Sequence, residues 1–219
     1  MLVIVGSRMH YRTLATGIFH CERCGGDRPY RHRAGRRWAH LLALPVFPLE
    51  RTGEHLRCTI CRTCYRIELL AVPTIEHMQA ALLAATTAAS LAMLSAGGAA
   101  SNVARRRAVE LIINAGSPQY RDADLVLGLE CTGSSPSAES LVACGPVPGL
   151  RTAIETVAIQ LELHASEWFL GRVVQVGLAD GPLSDAEREV VGTVARYLGL
   201  SQAQAHDVIL LTEDAAQAG

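Results

Sequence analysis

Two short stretches, Cys21-Glu22-Arg23-Cys24 and Cys58-Thr59-Ile60-Cys61, restrict this chain more than anything else in it. Two Cys-x-x-Cys pairs can present four thiolates to one ion only if the backbone reverses sharply at each pair and the pairs meet in space. Gly25, directly after the first pair, can take the left-handed conformation that such a knuckle needs. Cys21, Cys24, Cys58 and Cys61 therefore read as the four ligands of one structural zinc, a tetrahedral site closed to substrate. Cys61-Arg62-Thr63-Cys64 is a further Cys-x-x-Cys, so Cys64 stands as an alternative ligand. The 33 residues between Cys24 and Cys58 call for a hairpin inserted between the knuckles.

Charge divides the chain at the same place as cysteine use. Residues 1–72 carry 12 Arg and 5 acids, net +7, whereas residues 73–219 carry 8 Arg and 16 acids, net −8. Five of the seven cysteines precede residue 65. We read two domains, 1–72 and 73–219. Paired Cys-x-x-Cys units suit metal binding in a reducing compartment more than a disulfide framework, which points to the cytoplasm. Met1 to Val5 is apolar but too short for a signal peptide and reads as a strand.

The first domain is extended throughout. Residues 1–20 form a lead-in interrupted at Gly6-Ser7. Leu41 to Leu49 holds Pro45 and Pro48, which argue against a helix and a central strand and leave an edge strand or an extended segment packed on the knuckles. Glu50 to Gly53 reads as a turn, Glu54 to Arg57 as a strand entering the second knuckle, and Tyr65 to Leu69 as a strand leaving it.

From Thr74 the pattern is helical. Thr74 can cap a helix rich in Ala and Leu that runs towards Ala100, with no charge between His77 and Ala104. A shift of 83 residues superposes this region on the C-terminal one: Ala96/Ala179, Gly98/Gly181, Ser101/Ser184, Arg105/Arg188, Gly116/Gly199, Gln119/Gln202, Asp124/Asp207 and Leu127/Leu210 are identical. Each copy reads as helix, glycine turn, Ser-capped helix, glycine stop and a further helix. Ser184 with Glu187 is a capping box, and Val190, Val191, Val194, Ala195 and Leu198 make an apolar stripe. Ala205, Val208, Ile209 and Leu211 are candidate core positions of the last helix, and Trp168-Phe169 of an earlier one. The partner of the uncharged helix in the second copy contains Glu167 and Arg172, so both read as core helices of a soluble bundle and no membrane span is expected. Cys131 to Ser137 and Cys144 to Gly149 read as linkers, and Leu150 to Gly177 as one long helix or two short ones.

Three clusters could carry chemistry besides the cysteines. Arg31, Arg33, Arg36 and Arg37, with Tyr30 and Trp38 interleaved, could track phosphates and stack on bases, making nucleic acid a possible partner. Asp180, Glu187 and Glu189 offer oxygen ligands for a second, divalent metal, although the spacing is not that of an EF-hand. His20 and His55 lie near the knuckles as supporting or surface groups. No nucleophile–base arrangement, phosphate loop or dinucleotide fingerprint is present, so an enzyme is not expected.

Cys21-x-x-Cys24-Gly-Gly-Asp-Arg-Pro-Tyr, Arg36-Arg37-Trp38, Pro45-Val46-Phe47-Pro48-Leu49, Gly53-Glu54-His55 and Cys58-x-x-Cys61 together resemble a small bacterial zinc-ribbon family common in actinobacteria. Ala179-Asp180-Gly181, Ser184 to Glu189 and Gly199-Leu200-Ser201 resemble the tellurite-resistance TerB-like domain, an all-helical fold with internal pseudo-symmetry. The resemblance implies an α+β, two-domain protein: a small β zinc ribbon followed by an all-α bundle. It also implies a non-enzymatic, stress-associated adaptor, of tellurite or phage type, working through an unidentified protein partner. For that family, acids of the glycine turns and of the helices that follow have been proposed to meet a divalent metal; only Asp180, Glu187 and Glu189 carry over here, and the first turn has lost its acid. The rival reading is a nucleic-acid-binding regulator that uses the ribbon's arginines.

Overall fold

A computed structural model describes residues 5–41, 44–132 and 149–217. The expected strand over residues 1–5 lies outside these but for its last residue, as do most of the two expected linkers between residues 131 and 149. The chain forms an antiparallel sheet followed by helices, and packing divides it into two compact units, Met1–Met78 and Gln79–Gly219.

The first unit is a meander of four strands in the order β1-β2-β3-β4: β1 (Val5–Cys21), β2 (Gly26–Leu41), β3 (Leu44–Cys58) and β4 (Cys64–Tyr65). β1 runs through Gly6-Ser7 without the expected break, because β2 offers it hydrogen-bonding partners along its whole length. The hairpin of β2 and β3 fills the interval between the two knuckles, as the spacing requires. The expected turn at Glu50–Gly53 is instead an irregular part of β3. There the register with β2 shifts on both sides of Arg36, and Gly53 absorbs the distortion at φ +70°. Pro45 and Pro48 lie where β3 has β2 on one side only, since β4 pairs with no more than Leu56 and Arg57. The strand expected over Tyr65–Leu69 ends at Tyr65 and gives way to a 3₁₀ turn, Ile67–Ala71.

A second device closes this unit. Helix α1 (Ile75–Met93) starts at Thr74, whose Oγ1 accepts from the His77 amide at 3.3 Å. Asp27, at the start of β2, adds a remote cap. Its Oδ2 accepts from the amides of Ile75 at 2.8 Å and Glu76 at 3.4 Å, satisfying donors that the first helical turn leaves free.

In the second unit α1 continues into a π turn (Leu94–Gly98). There follow α2 (Asn102–Asn114), α3 (Asp122–Thr132), α4 (Leu150–Ala158), α5 (Leu163–Gly177), α6 (Asp185–Tyr197) and α7 (Gln202–Gln217). Leu150 to Gly177 is thus two helices. One continuous core gathers Leu91, Met93 and Leu94 with Ala108 and Ile112 of α2, Leu125 of α3, Ile154 and Val157 of α4, Leu170 and Val174 of α5, and Val191 and Val194 of α6. The stretch Ile67–Gly97 is long and apolar enough to cross a membrane by length and composition alone. Ala85, Ala88, Ala89, Leu91 and Met93 of α1 are buried within this core. Phe169 enters the core but Trp168, one residue away and so about 100° round the helix, is 56% exposed with the Arg172 guanidinium 5.5 Å from its ring. Leu211 likewise faces outward. The free thiols of the described chain all belong to the first unit.

The internal repeat is visible in the backbone. α2 and α6 each have 13 residues, each is capped by a serine (Ser101, Ser184) and each is followed by a glycine at positive φ (Gly116, Gly199). The copies differ in their caps. Ser101 accepts only from the Ala104 amide. Ser184 and Glu187 form the full reciprocal box, and the Glu187 carboxylate is buried in it. Ser184→Ala is therefore expected to cost about 1–2 kcal/mol and Ser101→Ala about 0.5–1 kcal/mol, because only the former also takes a hydroxyl donor from a buried carboxylate. Urea denaturation of the two variants measures the difference, and equal losses would contradict it.

Candidate metal centre

The sheet brings the two knuckles together through β2. Cys21 ends β1 opposite Gly26 at the start of β2, and Cys58 ends β3 opposite Tyr30, so both sulfurs emerge at the same end of the middle strand. Each chain then turns back on itself. In the first knuckle the Cys24 amide donates to the Cys21 carbonyl at 3.1 Å and Gly25 to Glu22 at 3.3 Å. In the second the Cys58 amide donates to the Thr63 carbonyl at 3.0 Å. The residue after each pair is left-handed: Gly25 at φ +64° and Arg62 at φ +61°. Gly takes this conformation freely, whereas for a residue with a Cβ it costs roughly 1–2 kcal/mol.

The four Sγ atoms of Cys21, Cys24, Cys58 and Cys61 all lie within 4.8 Å of one another and can hold a metal ion. Cys21 and Cys58 are buried, Cys24 and Cys61 half-buried. Phe19 packs edge-on against Tyr30 and Tyr65, at 5.6 and 5.5 Å between ring centres, and these rings shield the sulfurs from one side. Cys64 is exposed on β4, paired with Arg57, and stands outside the group.

The thiols polarise one another unevenly. Thr63, through its hydroxyl and its backbone, lowers the Cys61 thiol to about 6. Burial raises Cys21, but hydrogen bonds from the Tyr65 hydroxyl and the Cys24 amide outweigh it and leave this thiol lowered. Burial and the neighbouring sulfurs push Cys24 up to about 11. Negative charge on two sulfurs thus discourages it on the third, which is the electrostatic situation that a bound dication relieves.

Sequence reasoning missed three supporting residues. Tyr65 places its hydroxyl 3.3 Å from Cys21 Sγ, and this contact and burial push the phenol up to about 12, so it stays a donor to sulfur. Thr63 braces both knuckles: it bonds Cys61 and Cys58 and takes a hydrogen bond from Arg23 at 3.2 Å. Arg62 occupies the strained position. Only their closeness to Cys61 and Cys64 could have flagged them. His20 lies 3.4 Å from Asp27, and neither it nor His55 joins the sulfur group. Burial, with Arg33 and Arg57 close by, lowers His55 from the ordinary imidazole value.

The acidic trio is not brought together. Asp180 and Glu189 are exposed, while Glu187 Oε2 accepts from the Ser184 amide at 2.8 Å and hydroxyl at 2.7 Å. Among the described residues the four cysteines are the only group whose ligand atoms meet this closely. The four arginines are also divided. Arg31 and Arg33 line one cavity with Arg57 and Arg62. Arg36 lies 5.8 Å from the Trp38 ring and lines another, and Arg37 donates to Ser7 Oγ at 3.1 Å.

Compared with protein-family models, curated proteins and solved structures, the chain matches none of them.

Two outcomes follow from the geometry. Tyr65→Phe is expected to weaken metal affinity by about 10- to 100-fold while leaving the fold intact, since it removes a donor to a ligand sulfur; competition with a chromogenic chelator measures it. Loading at neutral pH is expected to release protons, Cys24 among the sources, and affinity is expected to fall as pH falls because protons compete for thiolate. A weakly buffered titration with a pH indicator reads the protons, and pH-independent affinity would rule out thiolate ligation.

Proposed function

We propose that the first unit is a zinc ribbon whose single zinc is structural, and that the protein is a non-enzymatic adaptor. The observation that carries this reading is the ligand set: four thiolates saturate a tetrahedral shell and leave no position for water or substrate. An all-sulfur tetrahedral set favours zinc or an iron–sulfur centre among biological metals, and two Cys-x-x-Cys knuckles on a sheet suit a single zinc. At the site the residues contribute ligation by Cys21, Cys24, Cys58 and Cys61 and charge relief from Tyr65 and Thr63. Zinc would supply the cross-link between the ends of β1 and β3, because the sheet's small aromatic cluster is a modest core for a unit of this size.

The helical unit, in this reading, is TerB-like and serves as the protein-docking part. The paired Ser-capped helices and glycine stops support the likeness. A stress-response role of tellurite or phage type rests on the sequence resemblance alone, and growth of a deletion strain under tellurite or phage challenge tests it separately. Unaltered growth under both would remove that role and leave the adaptor reading standing.

Elemental analysis of freshly purified protein is expected to give one zinc per chain, lost in Cys21→Ser and Cys58→Ser and kept in Cys64→Ser. Chelation is expected to unfold the sheet while the far-UV helical signal persists. Iron in place of zinc, or a sheet indifferent to chelator, would overturn the structural-zinc reading.

A further inference from the structure

One face of the sheet carries positive charge that nothing in the described first unit neutralises. The register sets Arg31 opposite Arg57 and Arg33 opposite His55. Residues opposite one another share a face, as do alternate residues along a strand, so Arg31, Arg33 and Arg57 stand side by side. Arg62, from the second knuckle, joins them around a cavity of about 300 Å³ that Cys58 and Thr59 help to line. None of the four guanidinium groups has a carboxylate or side-chain hydrogen-bond partner among the described residues. The nearby carboxylates are engaged elsewhere. Glu54 pairs with His32 at 2.8 Å on the opposite face, and Asp27 caps α1.

Two features of this face are unfavourable in the protein alone. Like charges directly across a strand pair repel, as Arg31 and Arg57 do. Arg62 is left-handed where the matching position of the first knuckle has glycine, and the zinc-ligating turn itself gains nothing from an arginine there. An anion seated among the four arginines removes the first cost and gives the second a purpose. The face also continues into an aromatic pair. Tyr11, 52% exposed, stands edge-on to His55 with ring centres 5.4 Å apart, one row beyond Arg33.

We propose that Arg31, Arg33, Arg57 and Arg62, with Tyr11, form a binding site for the backbone of a single-stranded nucleic acid, phosphates on the arginines and a base on the Tyr11 ring. Arg31 and Arg33 are spaced by two residues of strand, about 7 Å, which suits successive phosphates of an extended strand. A sheet face with an exposed aromatic ring is a platform for unpaired bases; reading a duplex takes an element that projects into a groove. Alternation puts Arg36 on the other face, whereas Arg37 shares this face beyond Tyr11 and is tied to Ser7 Oγ at 3.1 Å.

The test is fluorescence anisotropy of metal-loaded, full-length protein with labelled oligothymidylate across a salt series. Four phosphate contacts predict a slope of log affinity against log salt of about −3, at roughly −0.7 per contact. Arg31→Ala/Arg57→Ala is expected to weaken binding at least tenfold and flatten the slope by about 1.4. Tyr11→Ala is expected to weaken binding about tenfold or more with the slope unchanged. Arg8→Ala, opposite Trp38 on the other face, should change neither. Arg62→Gly should flatten the slope by about 0.7 and raise the melting temperature, because strain is relieved while a phosphate contact is lost. Metal content of each variant confirms that the knuckles are intact, and Arg57→Glu serves if the double variant fails to fold. No binding at low salt, or an Arg8→Ala loss equal to that of the double variant, would overturn the proposal. So would equal affinity for duplex. Displacement of the oligonucleotide by inorganic phosphate or a mononucleotide at matched phosphate concentration would instead make this a free-phosphate site and refute the nucleic-acid assignment.

Discussion

Four sulfur atoms confined within 4.8 Å of one another set the terms for the first unit. Thiols so close cannot all ionise in isolation, and the contrast between Cys61 near 6 and Cys24 near 11 expresses that conflict. The protein meets it with a short list of donors, the Tyr65 hydroxyl, the Thr63 hydroxyl and backbone amides, placed where they favour some thiolates over others. A dication resolves the remainder. The strand layout serves this arrangement: β2 pairs with the ends of both β1 and β3 and so holds two knuckles that lie far apart in sequence.

The parts of this architecture that were legible in the sequence are those decided locally. A Cys-x-x-Cys knuckle, a Ser-x-x-Glu box and a glycine stop each depend on a handful of neighbouring residues, and each appears where the residues imply. Features decided by a distant partner were not legible. Glu50 to Gly53 has turn composition, yet β2 supplies a ladder that keeps β3 extended across it. Tyr65 to Leu69 alternates like a strand, yet β3 offers it only Leu56 and Arg57 before the chain departs into a 3₁₀ turn. Trp168 and Phe169 are equally apolar, and only the orientation of α5 decides that Phe169 alone is buried.

The arginines illustrate the same division between local and distant information. Read along the chain, Arg31, Arg33, Arg36 and Arg37 form one basic run. Strand alternation sets Arg36 on the other face, and the pairing of β2 with β3 brings Arg57 beside Arg31. Arg62 arrives by yet another route, the turn of the second knuckle. The acids behave likewise: Glu187, one of three candidate metal ligands by spacing, is buried in a helix cap where its oxygens are already used.

The order of the ligands along the chain has a consequence for biosynthesis. Cys21 and Cys24 are made well before Cys58 and Cys61, with the whole β2–β3 hairpin between them. A nascent chain that has emerged only to residue 57 offers an ion two sulfurs and an unfinished sheet. The second pair completes both at once, since Cys58 is the last residue of β3 and Cys61 lies in the turn that follows. Capture of the ion and closure of the meander thus become possible together once residues 58–65 are made, and a ribosome stalled before residue 58 would display a pair of unshielded thiols open to oxidation.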